Sequence, residues 1–208
     1  MIKFFQWIYT LYSGLLFILL MLVFGLFIIL PILISERGDK ISFVFIRLWA
    51  GIWAALSGIR FEVHGLEHID KSTSYIYIFN HRSFIDAPMI PLCIPQEVRA
   101  IGKKELFLKK GISIVVAPEG TRNDTKDPLL PFQRGAFRLA IETRIPILPM
   151  AVIGADRIMK RGSILLRPGN VRVYFSQAMM PPENSETAVK DFTEKGSARL
   201  EAMILTHE

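Results

Sequence analysis

The stretch Tyr75-Ile76-Tyr77-Ile78-Phe79 runs directly into Asn80-His81-Arg82-Ser83-Phe84-Ile85-Asp86. Five aromatic and β-branched residues ending at a polar break predict a β-strand with a histidine just past its tip. A carboxylate five residues on can orient that histidine, fix its tautomer and stabilise the imidazolium formed when the ring takes a proton. A plainer reading fits the same letters. Ser83-Phe-Ile-Asp86 matches a helix capping box, so Asp86 could simply begin the next helix. The two readings are compatible, because a carboxylate in a first helical turn can still face a histidine at the preceding strand end.

Working outward, short β-like runs at 60–63, 75–79, 98–101, 112–117, 147–153 and 171–175 alternate with helical patterns at 87–93, 134–142 and 188–205. This alternation predicts an α/β fold with a mixed, mainly parallel sheet flanked by helices. Only ten residues separate the strand ending at 101 from the one starting at 112. A parallel crossover usually takes a dozen or more. The pair is therefore expected to be antiparallel, or to mark the loss of a strand and helix that leaves a gap in the sheet.

Hydrophobic residues make up 51% of the 208-residue chain and its mean hydropathy is +0.35, which points to a membrane. From Phe4 to Ser35 there is no charged residue. As one helix that stretch would be about 48 Å long, against about 30 Å for the hydrocarbon core, so Pro31 is expected to bend or end it. It is too long for the apolar core of a cleaved signal peptide. A second apolar stretch, 41–59, contains Arg47, Trp49 and Trp53, with a polar hinge at 35–40 between the two. An arginine near the interface can snorkel and tryptophans anchor there, so a membrane-embedded helical hairpin in one leaflet is expected over two full spans. The expected division is a membrane-anchoring segment, 1–59, and an α/β domain, 60–208.

The net charge is +6, with much of the excess base in Arg99, Lys103, Lys104, Lys109, Lys110, Arg157, Lys160, Arg161 and Arg167. A basic domain beside an apolar anchor suits membrane phospholipid or a phosphorylated substrate. No nucleic-acid motif accompanies the charge, so nucleic acid is not an expected partner. The single cysteine, Cys93, lies in an apolar, proline-flanked stretch and reads as a buried structural thiol. His64-Gly-Leu-Glu-His68 has the spacing of helical metal ligands. Gly65 after a strand argues for a turn instead, so no metal and no cofactor is expected.

After the apolar run 112–116 comes Ala117-Pro118-Glu119-Gly120-Thr121-Arg122. Parallel sheets bind ligands at the carboxyl ends of their strands, where this loop falls. Gly120 permits close backbone approach, Thr121 offers a hydroxyl, and Arg122 suits bidentate binding of a phosphate monoester. Alone, such a loop is as easily an ordinary turn.

Taken together, the two segments resemble the 1-acyl-sn-glycerol-3-phosphate acyltransferase family, the PlsC-like glycerolipid acyltransferases. Residues 80–86 match the family's His-x4-Asp motif and Pro118-Glu-Gly-Thr-Arg122 its Glu-Gly-Thr-Arg motif. Ile145-Pro146-Ile-Leu-Pro149, after Phe132-Gln-Arg-Gly-Ala136, is similar to the last block. The likeness covers roughly 61–175. It implies a membrane enzyme of phospholipid biosynthesis facing the cytoplasm, as in a bacterial inner membrane. His81 and Asp86 would be catalytic. Glu119, Gly120, Thr121 and Arg122 would bind a lysophosphatidic acid acceptor. Acyl-CoA or acyl-ACP would be the donor, and phosphatidic acid the product. In one respect the chain departs from the pattern: His81 and Glu119 are 38 residues apart, and the glycine-to-arginine acceptor motif usual between the two blocks is missing. That shortening leaves two alternatives, a catalytically weak or inactive lipid-binding homologue and an acyltransferase for another lyso-lipid.

Overall fold

The computed structural model describes residues 2–35, 38–100, 112–185 and 187–208. The helices are α1 (Ile2–Ile34), α2 (Gly38–Leu56), α3 (Asp86–Cys93), α4 (Gly135–Thr143), α5 (Ala155–Ile158) and α6 (Ala188–His207). The strands are β1 (Ile59–His64), β2 (Ile76–Phe79), β3 (Val98–Ala100), β4 (Ser113–Val116), β5 (Ile147–Ile153) and β6 (Gly169–Phe175). Each expected strand and helix is therefore present, with ends within about two residues of those read from the pattern. The interval 101–111, which holds the shortened stretch with Lys103, Lys104, Lys109 and Lys110, lies outside the described residues, as do 36–37 of the polar hinge.

The chain forms two compact units. The first comprises Met1–Phe61, Ser83–Glu97 and Gly154–Val171. In it α1 and α2 pack as an antiparallel hairpin along their length. Near one end the Tyr9 hydroxyl donates to Ser57 O (2.6 Å), and Trp53 Nε1 donates to Ser13 O (3.0 Å). In the middle the Phe17 ring meets Trp49 and Trp53 edge-on. Toward the other end Ser42 Oγ donates to Ile28 O (2.6 Å) and Phe27 stacks on Phe45. Pro31 does not end α1, which runs three residues further to Ile34. The outer face leaves Leu15, Leu19, Leu22 and Leu26 exposed, an apolar stripe that water would not favour. Among the described residues one helix is long and apolar enough to cross a membrane, Lys3–Ile34.

Arg47 has partners within the protein. Its Nε donates to Pro91 O (2.6 Å) and one terminal nitrogen to Ile94 O (2.5 Å), with the guanidinium over the Phe43 ring. The cation thus sits on carbonyls at the C-terminal end of α3, where the helix dipole favours positive charge. Cys93 in α3 is buried, and burial pushes its thiol up to about 12, as befits a packing residue.

The second unit comprises Glu62–Arg82, Val98–Ile153 and Arg172–Glu208, and it carries the sheet, ordered β1-β6-β5-β2-β4-β3. β2 pairs in parallel with β4 and with β5, β3 pairs in parallel with β4, and β5 pairs antiparallel with β6. The expected antiparallel β3–β4 pair is therefore wrong, and the sheet has no gap between these strands. The reason lies in strand length. β3 ends at Ala100 and β4 begins at Ser113, so the connection gains residues at both ends and reaches the dozen that a crossover takes.

On one face Ile76 and Ile78 of β2 pack with Ile114 and Ile147 against Phe137, Ala140 and Ile141 of α4 and Phe192 of α6. α6 buries Ala188, Phe192, Gly196, Leu200 and Ile204, a stripe at every fourth position. Side chains alternate along a strand, so Tyr77 and Phe79 face the other way, and the Tyr77 ring meets Phe175 edge-on.

Candidate active site

In the second unit His81 follows the carboxyl end of β2, on the face shared with Phe79, whose ring lies 5.7 Å from the imidazole. Asn80 fixes the exit from the strand. Its side-chain amide donates to Val152 O (2.8 Å) and its oxygen accepts from Val152 N (2.7 Å). Those two bonds imitate one more ladder pair between β2 and β5, which is why a buried asparagine is satisfied there.

The loop after β4 closes onto the same strand end. Glu119 is only 4% exposed. Its Oε1 accepts the His81 backbone N–H (2.8 Å) and its Oε2 accepts Leu130 N–H (2.8 Å). The His81 carbonyl in turn accepts from Asn123 N–H (2.6 Å). The backbone at His81 is thus held on both sides by the Glu-Gly-Thr-Arg segment and the residue that follows it. Burial raises the Glu119 pKa, outweighing the lowering by the Leu130 and His81 backbone bonds and by Arg82 and His81.

Gly120 has φ 71°, a left-handed conformation that disfavours other residues although a Cβ would have room. Thr121 is exposed and Arg122 half-buried, one residue from the Asn123–His81 bond. Pro118 O accepts from Gln133 N (2.7 Å), tying the loop to the approach of α4.

Two residues that the sequence reading gave no role organise this loop. Arg82 donates to Thr125 O (2.9 Å) and Asp127 O (3.2 Å). Asn123, 2% exposed, accepts from Thr125 N and Oγ1 and donates to Asp127 O. The Asn123-x-Thr125 spacing just past Arg122 is an Asx-turn signal that could have revealed the second.

Asp86 belongs to the first unit. It is 1% exposed and opens α3. Its Oδ2 accepts from Ser83 N–H (3.3 Å), while Ser83 Oγ accepts from Ile85 N–H (3.2 Å) and donates to Met159 O (2.7 Å). Ser83 and Asp86 thus close a local turn just before α3, whose N-cap, Ile85, has no side-chain cap bond, and Ser83 is tied as well to the segment after α5.

His64 and His68 are not on one helix. Gly65, at φ 80°, turns the chain beside Phe175 O into a short 3₁₀ turn, Leu66–His68. Among the described residues no group of three or more His, Cys, Asp or Glu could hold a metal ion.

Residues 60–113 and 105–153 match the family model described as Acyltransferase, in two pieces that overlap at 105–113. A chloroplastic 1-acyl-sn-glycerol-3-phosphate acyltransferase of Brassica napus is 31% identical over 176 residues, 65% of this chain and 50% of the relative. The 1-acyl-sn-glycerol-3-phosphate acyltransferase of Cocos nucifera is 27% identical over 160 residues, 60% of this chain and 52% of the relative. The chain thus spans about half the length of the curated relatives it matches. Its fold is that of the crystal structure of PlsC, the 1-acyl-sn-glycerophosphate (LPA) acyltransferase of Thermotoga maritima, with a TM-score of 0.80, 20% identity and 98% coverage of each chain. With both motif loops at strand ends of this sheet, residues 60–153 match the Acyltransferase family model across both, and the chain is similar there to 1-acyl-sn-glycerol-3-phosphate acyltransferases.

Proposed function

We propose that this protein is a membrane-anchored enzyme that moves a fatty acyl group from an acyl thioester, acyl-CoA or acyl-ACP, to the free hydroxyl of 1-acyl-sn-glycerol 3-phosphate. The observation that carries this reading is the joining of the two motifs at His81: Glu119 holds its N–H and Asn123 its carbonyl. A base whose backbone is fixed on both sides is positioned before substrate arrives.

In this mechanism His81, kept in one tautomer by Asp86, takes the proton of the acceptor hydroxyl as that oxygen attacks the thioester carbonyl carbon. The tetrahedral intermediate collapses, the C–S bond breaks, and the departing sulfur takes the proton back from His81. Phosphatidic acid and a free thiol leave with no acyl-enzyme. General-base action supplies roughly 10²–10⁴-fold, and positioning with oxyanion stabilisation must supply the rest. Arg122 holds the acceptor phosphate. Gly120 and Thr121 shape its pocket, and Glu119 contributes by fixing the loop.

The first unit supplies a further support. A cavity of about 370 Å³ is lined by Phe17, Ile18, Trp53, Phe84, Pro88 and Leu166 among others. The polar groups on its wall are satisfied internally, Ser13 Oγ by Ser57 Oγ and Trp53 Nε1 by Ser13 O. Such a wall suits a hydrocarbon chain. The hairpin lodges in one leaflet of a bacterial inner membrane, with the motif loops on the cytoplasmic side where acyl thioesters are made.

The test is acyl transfer by the purified full chain, with 1-acyl-sn-glycerol 3-phosphate and acyl-CoA or acyl-ACP. His81→Ala is expected to lose at least about 10²-fold in turnover with its circular dichroism unchanged. Equal turnover by that variant would remove His81 from the chemistry. A wild-type chain that binds the acceptor without turning it over would favour a lipid-binding role, and preference for a lyso-lipid lacking phosphate would reassign the acceptor.

A further inference from the structure

We infer that a cavity on the α6 side of the second unit is a binding site for a small phosphate-bearing anion, separate from the acyl-transfer site. The cavity is about 380 Å³, and His64, His68, Tyr174, Gln177, Arg199 and His207 contribute to its wall. That volume falls in the range of about 300–1,000 Å³ usual for small-molecule sites. Three of the chain's four histidines thus meet in one place, from β1, the 3₁₀ turn and the last turn of α6. The wall holds an arginine and no carboxylate.

The rings are stacked face to face. Tyr174 lies between two imidazoles, stacked on His64 (centroids 4.6 Å, 13°) and on His207 (3.7 Å, 2°). His207 is also at the C-terminal end of α6. Its own carbonyl accepts from Arg172 (2.8 Å), which fixes the end of the helix. The carboxylates next to these histidines in the chain are Glu62, Glu67, Asp70 and Glu208. Glu67 lies 4.0 Å from His68 Nε2 but is largely exposed, Glu62 is two residues before His64, and Glu208 follows His207.

A metal ion fits poorly. The Tyr174 ring separates His64 from His207, so their nitrogens do not converge on a point, and no metal-ligating trio occurs among the described residues. An anion fits, because several separated donors and an arginine can surround phosphate oxygens, which accept charge-assisted hydrogen bonds in many directions. The cavity is not the acceptor pocket under another name. Tyr174 and Met203 pack with the cluster of Ala151, Leu200 and Ile204, whereas the His81 ring packs beside Phe79 on the opposite face. The inference therefore stands whether or not the acyl-transfer reading does.

Phosphate chemistry has two sources here, a soluble phosphorylated compound or the head group of an anionic lipid, and the experiment separates them. The full chain in neutral detergent micelles, with labelled histidine side chains, is titrated with pyrophosphate and separately with short-chain phosphatidic acid while imidazole resonances are followed. The expected result is saturable movement of the His64, His68 and His207 signals by at least one probe. His81 stays still with pyrophosphate. Arg199→Gln, at an exposed position, weakens binding by roughly tenfold or more, and His207→Gln does so independently. Acyl transfer by Arg199→Gln stays at the wild-type rate. Response to pyrophosphate identifies a soluble ligand, and response to phosphatidic acid alone identifies a lipid head group. Unmoved signals with both probes, or unchanged affinity in both variants, overturns the inference.

Discussion

The two motif loops each bury one carboxylate, and they use it over opposite ranges of the chain. Asp86 accepts from Ser83, three residues back, and opens a helix. Glu119 accepts from His81 and Leu130, which are 38 and 11 residues away. The first carboxylate keeps one oxygen for a local turn. The second spends both on backbone groups of other loops. Removing Asp86 should therefore damage chemistry more than folding, and removing Glu119 the reverse.

The largest effect that tests this contrast is Asp86→Asn. Asparagine can still accept from Ser83 N–H, so melting temperature should change little while turnover falls by roughly 10²–10⁴-fold. A large loss of stability with turnover per folded molecule intact would make Asp86 a helix cap and nothing more. Glu119→Ala comes next. It leaves two N–H groups without their acceptor at about 1–3 kcal/mol each, to be read by denaturant unfolding. If unfolding is unaffected, Glu119 is not the clasp between the loops.

The raised pKa of Glu119 adds a pH dependence to the same site. The folded state holds the Glu119 proton more tightly than the unfolded state. Stability from this group is therefore complete below the ordinary carboxylate range and declines as pH rises through and above it. Glu119→Gln should flatten that decline in a series of melting curves, and an equally steep decline in the variant would assign it to other groups.

A smaller effect is expected at Arg122, half-buried at the end of the second motif. Arg122→Ala should raise KM for the phosphorylated acceptor about tenfold or more, with a lesser change in kcat. An unchanged KM would place the acceptor phosphate elsewhere. The smallest is Ser83→Ala, expected to cost about 1 kcal/mol by removing the cap to Ile85 and the bond to Met159. No measurable change would show that Asp86 alone starts α3.

The sequence was most informative where the determining contacts are local. Apolar runs marked β2 and β5 because both are buried at every position. Ser83 and Asp86 satisfy each other's loop within four residues, so their spacing announced it. Long-range choices were not visible. The carbonyls that Arg47 bonds, Pro91 and Ile94, lie 44 and 47 residues away from it. The direction of β3 against β4 hung on one or two residues at each strand end, a margin that pattern cannot resolve.

By itself, then, the sequence determined the α/β class, the apolar hairpin and the identity of the histidine, carboxylates and arginine in the two motifs. Those features follow from periodicity, burial preference and residue chemistry, which neighbouring residues carry. Only the tertiary structure decided that Glu119 fastens the His81 backbone, that Arg47 caps α3, and that three histidines share a cavity with Arg199. Each of these joins groups far apart in the chain, and their partnership is fixed by how the sheet and helices pack.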